Sequence, residues 1–368
     1  MLSRFSRMDR TLVHLIVLCT LPCLFISSRA AQKPLAPALF IFGDSIVDGG
    51  NNNNLKTRAV ANYPPNGIDF PGKAATGRFT NGYTVADLFD KMLNLPLALP
   101  YVSTKHIDRL ESASGYNYAS SSSGILPETG NYLGKNLDMR TQVKLFQESI
   151  DKYIRAQFRN TAALREYLAK SVFLIHMGTN DYLGNYLQPD RYNTSQLYRP
   201  DEYADLLARK LGKNLKDLYH LGARKFVVFQ ISRIGCYPEL VEKFKPKAKC
   251  AENVNDMVTL FNNKMEYQLG HLTFILRRSY FMTANVFNLT RDILDDPSRY
   301  GLTETRRGCC QDDRFNCLRR TVPCKNRDSY YFWDRFHPSQ AANKIIAKEC
   351  FNNFKVCYPM NVYRLLEI

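Results

Sequence analysis

Ala38-Leu39-Phe40-Ile41-Phe42-Gly43-Asp44-Ser45 is the stretch whose reading decides the fold. Its apolar run carries no polar alternation, the pattern of a strand buried on both faces in a parallel sheet. Ser171 to Met177, Lys225 to Ile231 and Tyr280 to Ala284 read the same way, and Tyr116 to Ala119 is a shorter fifth run. Helical spacing intervenes at Val143, Phe146, Ile150 and Tyr153, and again from Tyr203 to Leu218, closing at Gly222. Met257, Leu260, Phe261, Met265 and Leu269 make a third stripe, and Ile345, Ile346 and Phe351 a fourth. Strands alternating with helices imply an α/β fold: a three-layer α/β/α sandwich around a central, mostly parallel five-stranded sheet. Working groups in such sheets lie beyond the carboxyl ends of the strands, which is where Ser45 and Gly178-Thr179-Asn180-Asp181 fall.

Far downstream stands Trp333-Asp334-Arg335-Phe336-His337-Pro338. A serine at a strand end, with an aspartate and a histidine three residues apart, supplies a nucleophile, a base and an orienting carboxylate. These residues point to a serine hydrolase. Pro338 disfavours the helical conformation for His337 and holds it extended at the mouth of the following helix. His106, His176, His220 and His271 lack such company and read as packing or surface residues.

Residues 1–30 read as a signal peptide rather than as structure. Arg4, Arg7 and Arg10 precede the apolar stretch from Leu12 to Ile26, and Ser28-Arg29-Ala30 is a small-x-small cleavage pattern. The stretch falls short of the roughly 20 residues that a membrane-spanning helix needs. Residues 31–368 then form one domain, with no linker or repeat to divide it. No later segment is apolar enough to span a membrane, and the expectation is a secreted, extracellular protein. Losing the first thirty residues removes four arginines and one aspartate, which lowers the formal charge from +16 to +13. Lys and Arg are scattered rather than blocked, so nucleic acid is not the expected partner. Loose association with anionic cell-wall polymers is.

Eight cysteines remain: Cys236, Cys250, Cys309, Cys310, Cys317, Cys324, Cys350 and Cys357. An even number in an exported chain argues for disulfides, with 105 pairings open. Cys236 and Cys250 are expected to close the Lys- and Pro-rich loop between them, and adjacent Cys309 and Cys310 to seek separate partners. A zinc site at Cys310, Cys317 and Cys324 is disfavoured by the lack of a nearby histidine. Asn193-Thr194-Ser195 and Asn288-Leu289-Thr290 are glycosylation sequons, expected in surface loops. From Lys56 to Gly82, prolines and glycines break regular structure, with Tyr63, Phe70 and Phe79 interleaved. These aromatics either pin the loop onto the core or wall a substrate cleft.

The block from Ala38 to Asn53, taken with Thr76-Gly77-Arg78-Phe79-Thr80-Asn81-Gly82, Asn117-Tyr118-Ala119-Ser120, Gly178-Thr179-Asn180-Asp181, Cys309-Cys310 and Trp333 to Pro338, resembles the plant GDSL-type esterases/lipases of the SGNH-hydrolase superfamily. The resemblance covers nearly all of the mature chain. It implies a flavodoxin-like fold and an esterase or lipase acting on an ester or lipid substrate without metal or other cofactor. Ser45 matches the nucleophile, His337 the base and Asp334 its carboxylate. The oxyanion hole would comprise the Ser45 N–H, a backbone N–H at Ser121 and the Asn180 side-chain amide. The family usually reads Asn-Tyr-Ala-Ser-Gly-Gly-Ala-Gly where this chain reads Asn117-Tyr118-Ala119-Ser120-Ser121-Ser122-Ser123-Gly124. Serine at 121 keeps an N–H but costs more than glycine if φ is positive there. A Gly-x-Ser-x-Gly elbow, a His-Glu-x-x-His pair, a P-loop and a dinucleotide fingerprint are all missing from the sequence. The rival reading is a catalytically silent extracellular binding protein on the same scaffold, favoured only by the altered second block.

Overall fold

Apolar runs become strands where both faces are covered. In the computed structural model, which describes residues 33–310 and 317–368, the strands are β1 (Leu39–Gly43), β2 (Leu99–Pro100), β3 (Tyr116–Asn117), β4 (Val172–His176), β5 (Lys225–Phe229), β6 (Tyr280–Ala284), β7 (Glu304–Gly308), β8 (Tyr330–Phe332) and β9 (Cys357–Tyr358). The main sheet runs β2-β3-β1-β4-β5-β6-β9, while β7 and β8 form a separate parallel ribbon. Every pairing in the main sheet is parallel except β6 with β9. The expected sheet had five strands, and all five are present; β2 and β9 extend it at the edges to seven. Two-residue strands are too short to show a period, so nothing in the sequence announces them. The signal-peptide reading of residues 1–30 lies outside the described residues.

Helices α1 (Val85–Met92), α2 (Met139–Ser149), α3 (Thr161–Lys170), α4 (Pro200–His220), α5 (Glu252–Ile275), α6 (Val286–Asp295) and α7 (Gln340–Asn352) fill the connections. Register explains the packing. Phe40 stands opposite Phe173, Phe173 opposite Phe226, and Phe226 opposite Phe281, so four phenyl rings cross four strands on one face. Phe146 of α2 closes over Phe40 edge-on, with centroids 5.0 Å apart. On the opposite face Phe89 of α1 meets Phe229 of β5 and Phe351 of α7. Offset and edge-to-face ring pairs of this kind contribute about 0.5–1.5 kcal/mol each beyond their burial. The third helical stripe differs from the expectation at Leu260, which lies on the solvent side, while Val254, Val258, Phe261, Met265, Leu269 and Leu272 are buried.

Four disulfides pair Cys236 with Cys250, Cys309 with Cys324, Cys310 with Cys317 and Cys350 with Cys357. The expected 236–250 bridge is among them, and the adjacent Cys309 and Cys310 take separate partners. Cys310 and Cys317 are bridged to each other and Cys324 to Cys309, so the three thiols are taken up in disulfides rather than held as ligands. Among the described residues no helix is long and apolar enough to cross a membrane. Asn193 is exposed just ahead of a short helix, Thr194–Leu197. Asn288 is exposed too, but on the first turn of α6 rather than in a loop, and its sequon partner Thr290 is buried against the Tyr331 hydroxyl at 3.1 Å.

Candidate active site

Three loops leave the carboxyl ends of the adjacent strands β3, β1 and β4, carrying residues 118–124, 44–47 and 177–181 to one side of the sheet. The turn after β1 is tight because Gly43 has no side chain: a Cβ there would come within 2.5 Å of the His176 carbonyl oxygen. Gln142 of α2 locks the strand end by accepting from the Gly43 N–H and donating to the Gly43 carbonyl, both at 2.8 Å. Asp44 then caps the turn, accepting the Ile46 N–H at 3.0 Å. These contacts leave Ser45 at the mouth of a cavity.

The other half of the site comes from the segment after β8. The Cys309 N–H donates to the Phe332 carbonyl and Cys310 N–H to the Trp333 carbonyl, so the two bridged cysteines hold that segment by its backbone. Asp334 Oδ1 accepts the Phe336 and His337 N–H groups, each at 2.8 Å, in a tight Asx turn. The turn aims the His337 ring back at its own carboxylate, with Nδ1 2.9 Å from Oδ1 and 2.8 Å from Oδ2. His337 Nε2 faces Ser45 Oγ at 2.8 Å. Ser339 caps α7, its Oγ accepting from the Ala342 N–H at 3.2 Å. Ser45, His337 and Asp334 thus form one continuous hydrogen-bonded chain, buried except where it meets the cavity.

The cavity holds about 590 Å³ and is lined by Tyr63, Phe79, Leu133, Leu183, Leu240 and Phe336 around Ser45, with Arg58, Glu239 and Lys243 also in its wall. The Lys56–Gly82 loop serves both purposes that its sequence suggested. Tyr63 and Phe79 wall the cavity, and Phe79 stacks at a tilt on His337 with centroids 5.0 Å apart. Phe70 instead pins the loop, packed on Tyr83 and beneath the Arg78 guanidinium. Arg78 is itself held by a buried bidentate pair with Asp87 of α1, at 2.8 and 2.7 Å.

Asn180 lines the cavity, its Nδ2 donating one hydrogen to the Ser123 carbonyl at 3.0 Å. Ser121 behaves differently from its expected role. Its N–H is already shared between Asp48 Oδ2 and Asn52 Oδ1, both at 3.1 Å. The positive φ that the family's glycines suggested falls one residue later, on Ser122, at 64°. Among the described residues the N–H groups of Ser45 and Ser122 have no hydrogen-bond partner, and both residues line the cavity. Sequence alone misses this because which amide of a four-serine run faces inward depends on backbone torsions.

Beneath the site lie buried groups to which the motifs assign no role. Asp48, fully buried, is pushed up to about 6 by burial, against the pull of the Gly50, Asn51 and Ser121 N–H groups. Burial likewise raises Asp181 to about 7, although Ile125, Leu126 and Thr129 all donate to it. Both carboxylates staple the glycine- and serine-rich turns together. His176, read as a packing residue, sits on β4 with its Nδ1 3.4 Å from Asp44 Oδ1.

The family model of GDSL-like lipase/acylhydrolase matches residues 39–350. The chain is 42% identical to GDSL esterase/lipase 7 of Arabidopsis thaliana over 366 residues, covering 98% of this chain and all of that one. Another Arabidopsis GDSL esterase/lipase is 40% identical over 339 residues, covering 89% of this chain and 87% of the relative. With the family model spanning the strands and loops that build the site, the chain belongs to the GDSL-like lipase/acylhydrolase family and is an ester-bond hydrolase.

Proposed function

We propose that the protein is a secreted carboxylic-ester hydrolase that works through a covalent acyl-enzyme formed on Ser45. The observation that carries this reading is the hydrogen-bonded chain from Ser45 Oγ through His337 to Asp334, opening into a cavity of about 590 Å³. Ser45 Oγ attacks the ester carbonyl while His337 Nε2 takes its proton. Asp334 holds Nδ1 protonated and stabilises the imidazolium. The proton passes to the leaving alcohol, and water activated by the same histidine releases the acid. The signal peptide at 1–30, export and glycans at Asn193 and Asn288 belong to this proposal; four disulfides fit an oxidising compartment.

The tetrahedral oxyanion needs donors already in place. Ser45 N–H and the second hydrogen of Asn180 Nδ2 supply two. For the third, the N–H at Ser122 fits better than that at Ser121, because the latter is committed to Asp48 and Asn52. Asn180→Ala is expected to lower kcat by about 10² to 10³ with little change in KM, as for other side-chain donors of this kind. Steady-state hydrolysis of a p-nitrophenyl ester series by purified, glycosylated protein measures this and tests the proposal. Wild type that turns over no ester of any chain length would leave the silent binding-protein reading standing.

The turn itself offers an independent check. A serine held at φ of 64° costs about 1 kcal/mol relative to glycine. Ser122→Gly is therefore expected to raise the free energy of unfolding by about that amount and to keep activity, because the N–H remains. Ser121→Gly, at a residue without positive φ, is not expected to stabilise. Urea unfolding of the two variants side by side decides which residue bears the strain.

A further inference from the structure

The amino-terminal edge of the main sheet, opposite the edge that carries Ser45, holds a second and larger cleft of about 870 Å³. Six cations line it: Arg155, Arg165, Lys170, Arg224, Lys225 and Arg278. The acidic side chains in its wall, Asp151 and Glu166, are each taken by one of them, Arg155 at 3.2 Å and Lys170 at 2.6 Å. Arg224 is spent on backbone carbonyls at Tyr219 and Ala223 and on the Tyr219 ring. Among the described residues, Arg165, Lys225 and Arg278 have no ion pair and no side-chain hydrogen bond.

Lys225 is the unusual member. It opens β5 between Val172 of β4 and Tyr280 of β6, and only 6% of its surface is exposed. A lysine so buried normally has a carboxylate or carbonyl to meet its ammonium. This one opens only into the cleft. Burial, and the neighbouring charge of Lys170, hold its pKa below the ordinary lysine value. A group with its charge disfavoured and, among the described residues, no carboxylate within 4 Å gains most when a ligand brings one.

We propose that this cleft is a binding site for a carboxylate-bearing acidic polysaccharide, with Lys225 at its floor and Arg165 and Arg278 at its rim. Several unpaired cations spread over one open trough suit a ligand that repeats its negative charge along a chain. A flat bilayer surface cannot reach a floor lysine. The site lies away from the ester-hydrolysing edge and does not rest on the proposed mechanism. It would hold the enzyme on a polyanionic matrix with its active cavity facing away.

Polygalacturonate binding by the intact glycosylated protein, followed by affinity electrophoresis and calorimetry at low and physiological salt, tests this. Lys225→Met and Arg278→Gln are each expected to weaken binding about threefold to fivefold, and the pair by tenfold or more, which is the range of single partly exposed ion pairs. Salt should weaken wild-type binding steeply. Lys216→Gln and Lys247→Gln remove the same charge from exposed positions elsewhere and are expected to change binding less than twofold. Ser45→Ala should bind the polymer as wild type does, so a failed mechanism leaves this result intact. Arg278→Gln alters an exposed side chain and cannot act through misfolding, which keeps the test decisive if Lys225→Met does not fold. The proposal is overturned by no binding, by equal losses in the control variants, by no loss in Arg278→Gln, or by duplex DNA or phosphatidylserine vesicles displacing the polymer at equal charge concentration.

Discussion

Ser45→Ala is expected to lower kcat by about 10⁶, the loss seen when a triad nucleophile is removed, while leaving the melting transition where it was. The side chain makes one contact of consequence, Oγ to His337 Nε2 at 2.8 Å. The turn that presents it is held by other atoms: the Asp44 carboxylate on the Ile46 N–H and the Asp44 carbonyl on the Val47 N–H. Removing the hydroxyl therefore deletes the bond-forming atom and leaves the backbone donor, the cavity and the histidine in place. Residual turnover of about 10³ over water, from the oxyanion donors and binding alone, is the expected remainder. Ester hydrolysis under burst conditions, together with labelling by a fluorophosphonate, reads both quantities. Undiminished labelling of the alanine variant would mean that another residue is the nucleophile.

Asp334→Asn is expected to cost about 10⁴ in kcat, following other triads in which the same change reverses the histidine tautomer. Asp334 Oδ1 accepts two backbone N–H groups, and the asparagine carbonyl can keep both. What it cannot keep is an acceptor at Oδ2, 2.8 Å from His337 Nδ1. An amide there donates, so the ring proton moves to Nε2 and faces Ser45, where a lone pair is needed. The fold should survive with KM nearly unchanged. A variant that melts like wild type and retains a tenth of its kcat would remove the carboxylate from the mechanism.

Much of this was legible in the chain because burial leaves marks on composition. Strands β1, β4, β5 and β6 are covered on both faces, so they are mostly apolar without alternation, and their register aligns the phenylalanines. Strands β2 and β9 owe their pairing to neighbours already placed, and two residues carry no pattern. Ser45, Asp334 and His337 could be named because each sits in a motif. Only the structure shows them within hydrogen-bond reach. The amide at Ser122 was not legible, since neighbouring serines differ there only in torsion. Lys225 was not legible either: a lysine at the head of an apolar strand reads as an ordinary solvated end until its surroundings are seen.

The proposed nucleophile and its base are 292 residues apart in sequence. A chain emerging from the ribosome at about 5 to 20 residues per second exposes Ser45 roughly 15 to 60 s before His337 exists. The base must then dock against segments made long before it: the Gln340 N–H donates to Asn81 Oδ1 and the Tyr83 N–H donates to Gln340 Oε1. On the proposed mechanism, hydrolytic power is withheld from every nascent intermediate and arrives only when the last part of the chain closes on the first. A truncated product ending before Asp334 would carry an intact serine and most of the walls of its cavity, yet lack the carboxylate and the base of the proposed mechanism.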